Sequence, residues 1–117
     1  MKATLYHNPR CAKSRAALQL LRERGIEPIV IEYLQHPPSA AELDRILTLL
    51  KMEPRELMRK KESEYKSADL AAPGLTRAQL IDAMVRHPIL IERPLLVIGN
   101  RAALGRPPEN ILTVLER

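Results

Sequence analysis

Two spacings of apolar residues alternate along the chain. Residues 2–6 (Lys-Ala-Thr-Leu-Tyr), 28–34 (Pro-Ile-Val-Ile-Glu-Tyr-Leu) and 93–98 (Arg-Pro-Leu-Leu-Val-Ile) are short apolar runs of strand character. Gly99-Asn100 reads as a hairpin turn into a short fourth strand at 101–104. Between the first two runs, Ala17, Leu18 and Leu21 mark one face of a helix that begins at Cys11 or Ala12 and ends at Arg24, with Gly25 just past it. The sequence His7-Asn8-Pro9 breaks the first strand. The near-continuous apolar run at 28–34 predicts a strand buried on both faces. Strand, helix and strand in this order form a βαβ unit with a parallel pair.

Residues 39–87 carry helical spacing instead. After the connector His36-Pro37-Pro38, Ser39 and Glu42 make a capping box, and Leu43, Ile46, Leu47 and Leu50 form an i, i+3, i+4, i+7 stripe. Pro54 is placed to open another helix, carrying Leu57 and Met58 and ending near Lys60-Lys61. The polar stretch 62–74 predicts a short helix and a loop through Pro73-Gly74. Thr76 and Gln79 cap a helix running to about His87, which stops before Pro88. Arg106-Pro107-Pro108-Glu109 opens a last helix to Leu115. The order is β-α-β, a helical insert, then β-β-α. That order predicts a thioredoxin-like α/β fold, a mixed four-stranded sheet flanked by helices. Its core would span about 1–35 and 88–117 and its insert about 39–87, within one domain of 1–117.

Composition narrows the partners. The chain has 117 residues, 45% hydrophobic, with no Trp or Phe, so the core comes from aliphatic residues and three Tyr. Few aromatic platforms remain for stacking bases. The formal charge of +5 favours anionic partners. The basic residues are interleaved with acids, as in Arg55–Lys61 with Glu56 inside and Glu62 following. Such a run reads as a solvated helix face. No nucleic-acid motif accompanies the charge, so small anions are the expected partners rather than nucleic acid. The first residues lead directly into a strand pattern, so no secretory leader is expected. No apolar run approaches the ~18 residues of a membrane span. A single cysteine cannot form an internal disulfide. A cytoplasmic, reducing setting is expected.

Cys11 is the first candidate for chemistry. It follows a strand and a Pro-containing turn and stands at a helix start. There, unpaired N–H groups and a partial positive charge stabilise a thiolate, the nucleophilic form. Arg10 and Lys13 add charge, and the thiol pKa is expected below its free value. Ser14 makes the pattern C-x-x-S: its hydroxyl could donate to the thiolate but cannot resolve a disulfide. His7, four residues earlier, could lower the cysteine pKa as an imidazolium, or could be a loop residue without a role. Pro94 opens a strand, where thioredoxin-like folds carry a cis proline facing the cysteine turn; Arg93 would then approach Cys11. Arg59, Arg93 and Arg106 each stand at an element boundary, and spacing alone leaves open whether they converge on an oxyanion. One Cys and three scattered His give no metal-ligand spacing, so no metal is expected.

The stretch Tyr6-His7-Asn8-Pro9-Arg10-Cys11-Ala12-Lys13-Ser14-Arg15 resembles the cysteine motif of glutaredoxin-dependent arsenate reductases. The resemblance continues through Glu32-Tyr33-Leu34 with Pro37-Pro38, Arg55-Glu56-Leu57-Met58-Arg59-Lys60, His87–Pro94, and Gly105-Arg106-Pro107-Pro108-Glu109. It covers essentially the whole chain in order. The resemblance implies a thioredoxin-like fold with a helical insert, Cys11 as nucleophile and His7 as the residue lowering its pKa. It implies Arg59, Arg93 and Arg106 as the oxyanion-binding arginines, with Ser14 and Pro94 in support. It further implies reduction of arsenate to arsenite, an arsenic-detoxifying activity. It implies no bound cofactor, with glutathione as co-substrate and glutaredoxin as external reductant, in keeping with the missing resolving cysteine. The loop Arg10–Ser14 is more basic than the small, neutral loop usual in those enzymes. Two other readings share the fold. One is an Spx-like regulator that binds RNA polymerase; Ser14 in place of a second cysteine argues against redox switching there, though not against binding. The other is a monothiol glutaredoxin-like thiol transferase, against which the arginine set argues.

Overall fold

The computed structural model describes residues 2–115, so the outer limits of the expected 1–117 domain lie outside the described residues. The chain divides into two compact units, Met1–His36 with Arg93–Arg117, and Pro37–Glu92. Among the described residues no helix is long and apolar enough to cross a membrane.

The first unit is built on a four-stranded sheet. Strands β1 (Ala3–His7), β2 (Ile29–Glu32), β3 (Leu95–Ile98) and β4 (Arg101–Leu104) lie in the order β2-β1-β3-β4. β1 pairs in parallel with β2, from Thr4↔Ile29 to His7↔Glu32. A parallel pair needs a crossover, and helix α1 (Ala12–Glu23) supplies it. β3 pairs antiparallel with both β1 and β4. Leu5, Leu96 and Ala103 from the sheet, Ala17 and Leu21 from α1, and Ile111 and Val114 share one buried cluster. Ala17 and Leu21 are one helical turn apart, so a single face of α1 enters it. Truncating a fully buried leucine such as Leu21 costs about 2–5 kcal/mol. This cluster fixes β1 and α1, and with them the turn between the two.

Two features differ from the sequence reading here. β2 covers only Ile29–Glu32, and Ile29 and Val30 are 45% and 37% exposed, not buried on both faces. The cause is its place at the sheet edge, which composition does not reveal. The C-terminal segment Pro108–Val114 is a 3₁₀ helix rather than an α-helix. Pro107 and Pro108 bring no N–H, and i→i+3 bonds such as Asn110 N–H to the Pro107 carbonyl (3.0 Å) take over.

The second unit holds α2 (Ala40–Leu50), α3 (Ser63–Ser67) and α4 (Arg77–Arg86). Ser39 Oγ accepts from the Glu42 N–H at 3.1 Å, and Thr76 and Gln79 form the reciprocal box. Leu43, Ile46 and Leu47 of α2 and Leu80, Ile81 and Met84 of α4 are buried, and α2 packs on α4. The helix expected from Pro54 to Lys61 is only a 3₁₀ turn, Pro54–Leu57. Beyond it the backbone pairs elsewhere: Met58 bridges Ile91, Arg59 N–H donates to the Leu90 carbonyl (2.7 Å), and Glu92 N–H to the Leu57 carbonyl (2.8 Å). A tertiary ladder has overridden local propensity.

Candidate active site

Asn8 folds the turn that presents the cysteine. Its side-chain Oδ1 accepts from the Arg10 N–H at 3.0 Å, and its carbonyl accepts from the Cys11 N–H at 3.0 Å. This side-chain-closed turn is the conformation Asn favours. Cys11 is left as the extended N-cap of α1, partly exposed. Burial pushes its thiol pKa up from 9.0, but other groups pull it below that value. They are the backbone N–H of Ser14, the positive charge of Arg93, the backbone N–H of Lys13 and a hydrogen bond from Arg93. The two N–H groups are among those that the first turn of any helix leaves without carbonyl partners. The thiolate is therefore favoured by main chain and guanidinium together.

Ser14 and His7 do different work from that read in the sequence. Ser14 is fully buried, and its Oγ accepts from the Asn8 N–H at 3.0 Å and lies 2.8 Å from His7 Nδ1. The hydroxyl braces the turn, while the Ser14 main chain faces the sulfur. His7 is the last residue of β1 rather than part of the break after it. It is 6% exposed, and burial lowers its pKa from 6.5; Glu32 opposes the shift, and Arg22 and Arg15 add to it. The shift favours the neutral ring, the form that brings no imidazolium charge to Cys11. Its influence passes through Ser14.

The Arg93-Pro94 peptide is cis, as is Arg106-Pro107. Gly105 N–H donates to the Pro94 carbonyl at 2.9 Å, and Arg106 Nη1 donates to the Arg93 carbonyl at 3.4 Å. These bonds join the entry of β3 to the exit of β4, where Leu95 pairs Leu104. Gly105 has no room for a side chain: a Cβ there would lie 2.7 Å from Pro94 Cγ. The sequence reading passed over this residue, although its place just before Arg106 was a signal. The sheet unit thus links Cys11, His7, Ser14, Arg93, Pro94 and Arg106. Arg59 belongs to the helical unit, where its Nη1 is 2.9 Å from Glu62 Oε2 and its Nε 4.0 Å from Glu92 Oε1. Among the described residues no group of three or more His, Cys, Asp and Glu could hold a metal ion.

Fold and turn together define a thioredoxin-like α/β protein with one activated thiol at the β1–α1 junction. A model of the ArsC family matches residues 6–114, and the chain belongs to that family. Escherichia coli K12 YfgD, an uncharacterized protein, is 50% identical over 95% of this chain and 94% of its own. A Neisseria meningitidis protein named arsenate reductase is 47% identical, over 95% of this chain and 96% of its own. The structure of an arsenate reductase from Vibrio cholerae superposes with a TM-score of 0.93 at 46% identity, covering 97% of this chain and 98% of that one.

Proposed function

We propose that the protein is an arsenate reductase that works with glutathione and glutaredoxin. The observation that carries this reading is Cys11 at a helix N-terminus, its pKa lowered by two backbone N–H groups and Arg93. That arrangement suits attack on an anion held by the same donors. Cys11 thiolate bonds to arsenic of arsenate, and an oxygen leaves as water after protonation. Arg93 and Arg106 neutralise the oxyanion, and the family resemblance adds Arg59. Glutathione displaces a second oxygen, giving arsenic bonded to both sulfurs. A glutaredoxin thiolate then takes the glutathione sulfur as a mixed disulfide, and its bonding pair to arsenic stays on arsenic. Arsenic(V) becomes arsenic(III), and hydrolysis of its bond to Cys11 releases arsenite. The lone cysteine supports an external thiol system, because the chain has no second thiol to complete the reduction. His7 and Ser14 position the turn, with Pro94 ordering Arg93.

The test is arsenate-dependent NADPH consumption with glutathione, glutathione reductase and glutaredoxin, with Cys11→Ser beside the native protein. Turnover that disappears in the variant is the expected result. No turnover from a folded protein whose thiol still reacts would remove arsenate as the substrate. Thiol transfer from glutathionylated proteins would be examined next.

A further inference from the structure

Within the helical unit, Arg59 already has anionic company. Its backbone is fixed by the ladder: Met58 bridges Ile91, and the Arg59 N–H donates to the Leu90 carbonyl at 2.7 Å. The side chain then lies between two carboxylates, with Nη1 2.9 Å from Glu62 Oε2 and Nε 4.0 Å from Glu92 Oε1. All three side chains are about one-quarter exposed, so this pairing is shielded from solvent more than the protein's other ion pairs are. The two acids are held differently. Glu92 sits on the ladder, its N–H donating to the Leu57 carbonyl at 2.8 Å. Glu62 follows a turn closed by its own N–H on the Arg59 carbonyl at 3.1 Å, and its carboxylate contacts Arg59 at one atom pair.

Glu62 also passes over its nearer options. It stands directly ahead of α3, where a side-chain oxygen can cap a helix, yet it makes no cap bond. Lys60 and Lys61 are exposed, and neither is in an ion pair. Its carboxylate is spent on Arg59. A guanidinium receives a carboxylate and a tetrahedral oxyanion through the same fork of N–H donors. The Glu62 oxygen therefore stands where an oxyanion oxygen would stand.

We infer that Glu62 is an internal competitor for Arg59: an oxyanion must displace its carboxylate from the guanidinium, and the affinity for the oxyanion is set below what the arginine alone would give. The inference rests on the proposed function for the role of Arg59 and assigns Glu62 a role in controlling it. Glu62 is not a catalytic residue, since it acts through Arg59.

The test begins with sulfate, an unreactive tetrahedral dianion, so that it needs no arsenic chemistry. The sulfate concentration that halves the rate of Cys11 alkylation by iodoacetamide is measured at constant ionic strength. Glu62→Gln should lower that concentration about fivefold, the scale of one partly screened ion pair. The KM for arsenate should fall by a similar factor, with kcat within about twofold. In an Arg59→Ala background Glu62→Gln should change neither quantity. Glu64→Gln removes the same charge two residues on, from a side chain that accepts from Ser63 Oγ and is not paired with Arg59, and should leave sulfate protection near native. Tighter binding is the opposite of what a loosened segment would produce. Sulfate protection that is unchanged, weaker or absent in Glu62→Gln would overturn the inference. So would the same gain in Glu64→Gln or without Arg59. Tighter sulfate protection in Glu62→Gln, from a protein that does not turn over arsenate, would remove the proposed reaction and leave the role of Glu62 standing.

Discussion

Gly105→Ala probes the joint between Pro94 and the end of β4. An ideal Cβ at this position lies 2.7 Å from Pro94 Cγ, 3.3 Å from Pro94 Cδ and 3.2 Å from Ile111 Cγ2. Carbon atoms in ordinary contact sit about 3.5–4.0 Å apart, so the closest pair must open by about 1 Å. The Pro94 ring is tied to the backbone and cannot swing aside as a flexible side chain would. Ile111 belongs to the buried cluster and is equally confined. Overpacking of this kind costs about 1–3 kcal/mol. Set against a total stability of about 5–15 kcal/mol, the variant stays folded. Its midpoint should fall by roughly 4–12 °C, at about 4 °C per kcal/mol. A second effect reaches the thiol. Arg93 directly precedes Pro94 and helps hold the Cys11 pKa below 9.0, so displacing the ring should raise the inflection of iodoacetamide alkylation against pH. Gly25→Ala is the control. Its Cβ meets nothing within 4 Å, and only its φ of +76° is unfavourable. That change should cost about 1 kcal/mol and leave alkylation as in the native protein. A Gly105→Ala protein within about 0.5 kcal/mol of native stability, with the native alkylation profile, would refute this account of the joint.

Other perturbations separate the parts of the site. Arg93→Ala should move the alkylation inflection upward and slow alkylation at neutral pH severalfold, with Arg93→Lys in between; identical profiles would show that the guanidinium does not support the thiolate. Ser14→Ala leaves the part-buried Asn8 N–H without its acceptor and should cost about 1–3 kcal/mol in urea unfolding, whereas a loss below about 0.5 kcal/mol would deny the hydroxyl its bracing role. His7 has a folded-state pKa below its unfolded 6.5, so the unfolded chain takes up this proton first as pH falls. The associated stability is fully present above pH 6.5 and is lost through the window from 6.5 down to the lower folded value. His7→Gln should therefore show a shallower loss of stability on acidification through that window, and parallel curves would remove the buried neutral ring as the cause.

How far the sequence could be read depended on the range of the forces involved. The crossover helix, its terminal Gly25 and the Thr76–Gln79 box were legible because each is settled within a few residues. The parallel β1–β2 pair and the β3–β4 hairpin followed from the βαβ and hairpin patterns, which restrict how short connections can run, whereas the order β2-β1-β3-β4 came only with the structure. The exposure of β2 was not legible, because an apolar run of four residues looks alike in a central strand and at an edge. Nor was the shortening of the Pro54 helix, since its competitor, the strand-like pairing of Met58 with Ile91, is far away in sequence. At the site, the position of Cys11 was readable from the strand-to-helix change. The state of His7 was not: four residues of spacing left open an imidazolium near the thiol or a loop residue without a role, while packing buries the ring against Ser14 and favours its neutral form. Gly105 could be understood only once Pro94 was seen against it.

The balance at Cys11 also explains why so much of the site is scaffold. Burial alone would hold the thiol protonated, and the groups that reverse this are the N–H groups of Ser14 and Lys13 and the side chain of Arg93. Substitution at 13 or 14 by anything but proline cannot delete those N–H donors; it can only shift where they point. Their direction depends on the first turn of α1, and that turn is held by Asn8, by the Ser14 hydroxyl and by His7 behind it. Arg93 depends in the same way on Pro94, Gly105 and Arg106. The residues that never touch the sulfur therefore control it through geometry, each acting on one of two opposed supports. A thiol tuned by main-chain donors needs no second sulfur beside it, and the hydroxyl that occupies the fourth position of C-x-x-S is used to brace the turn.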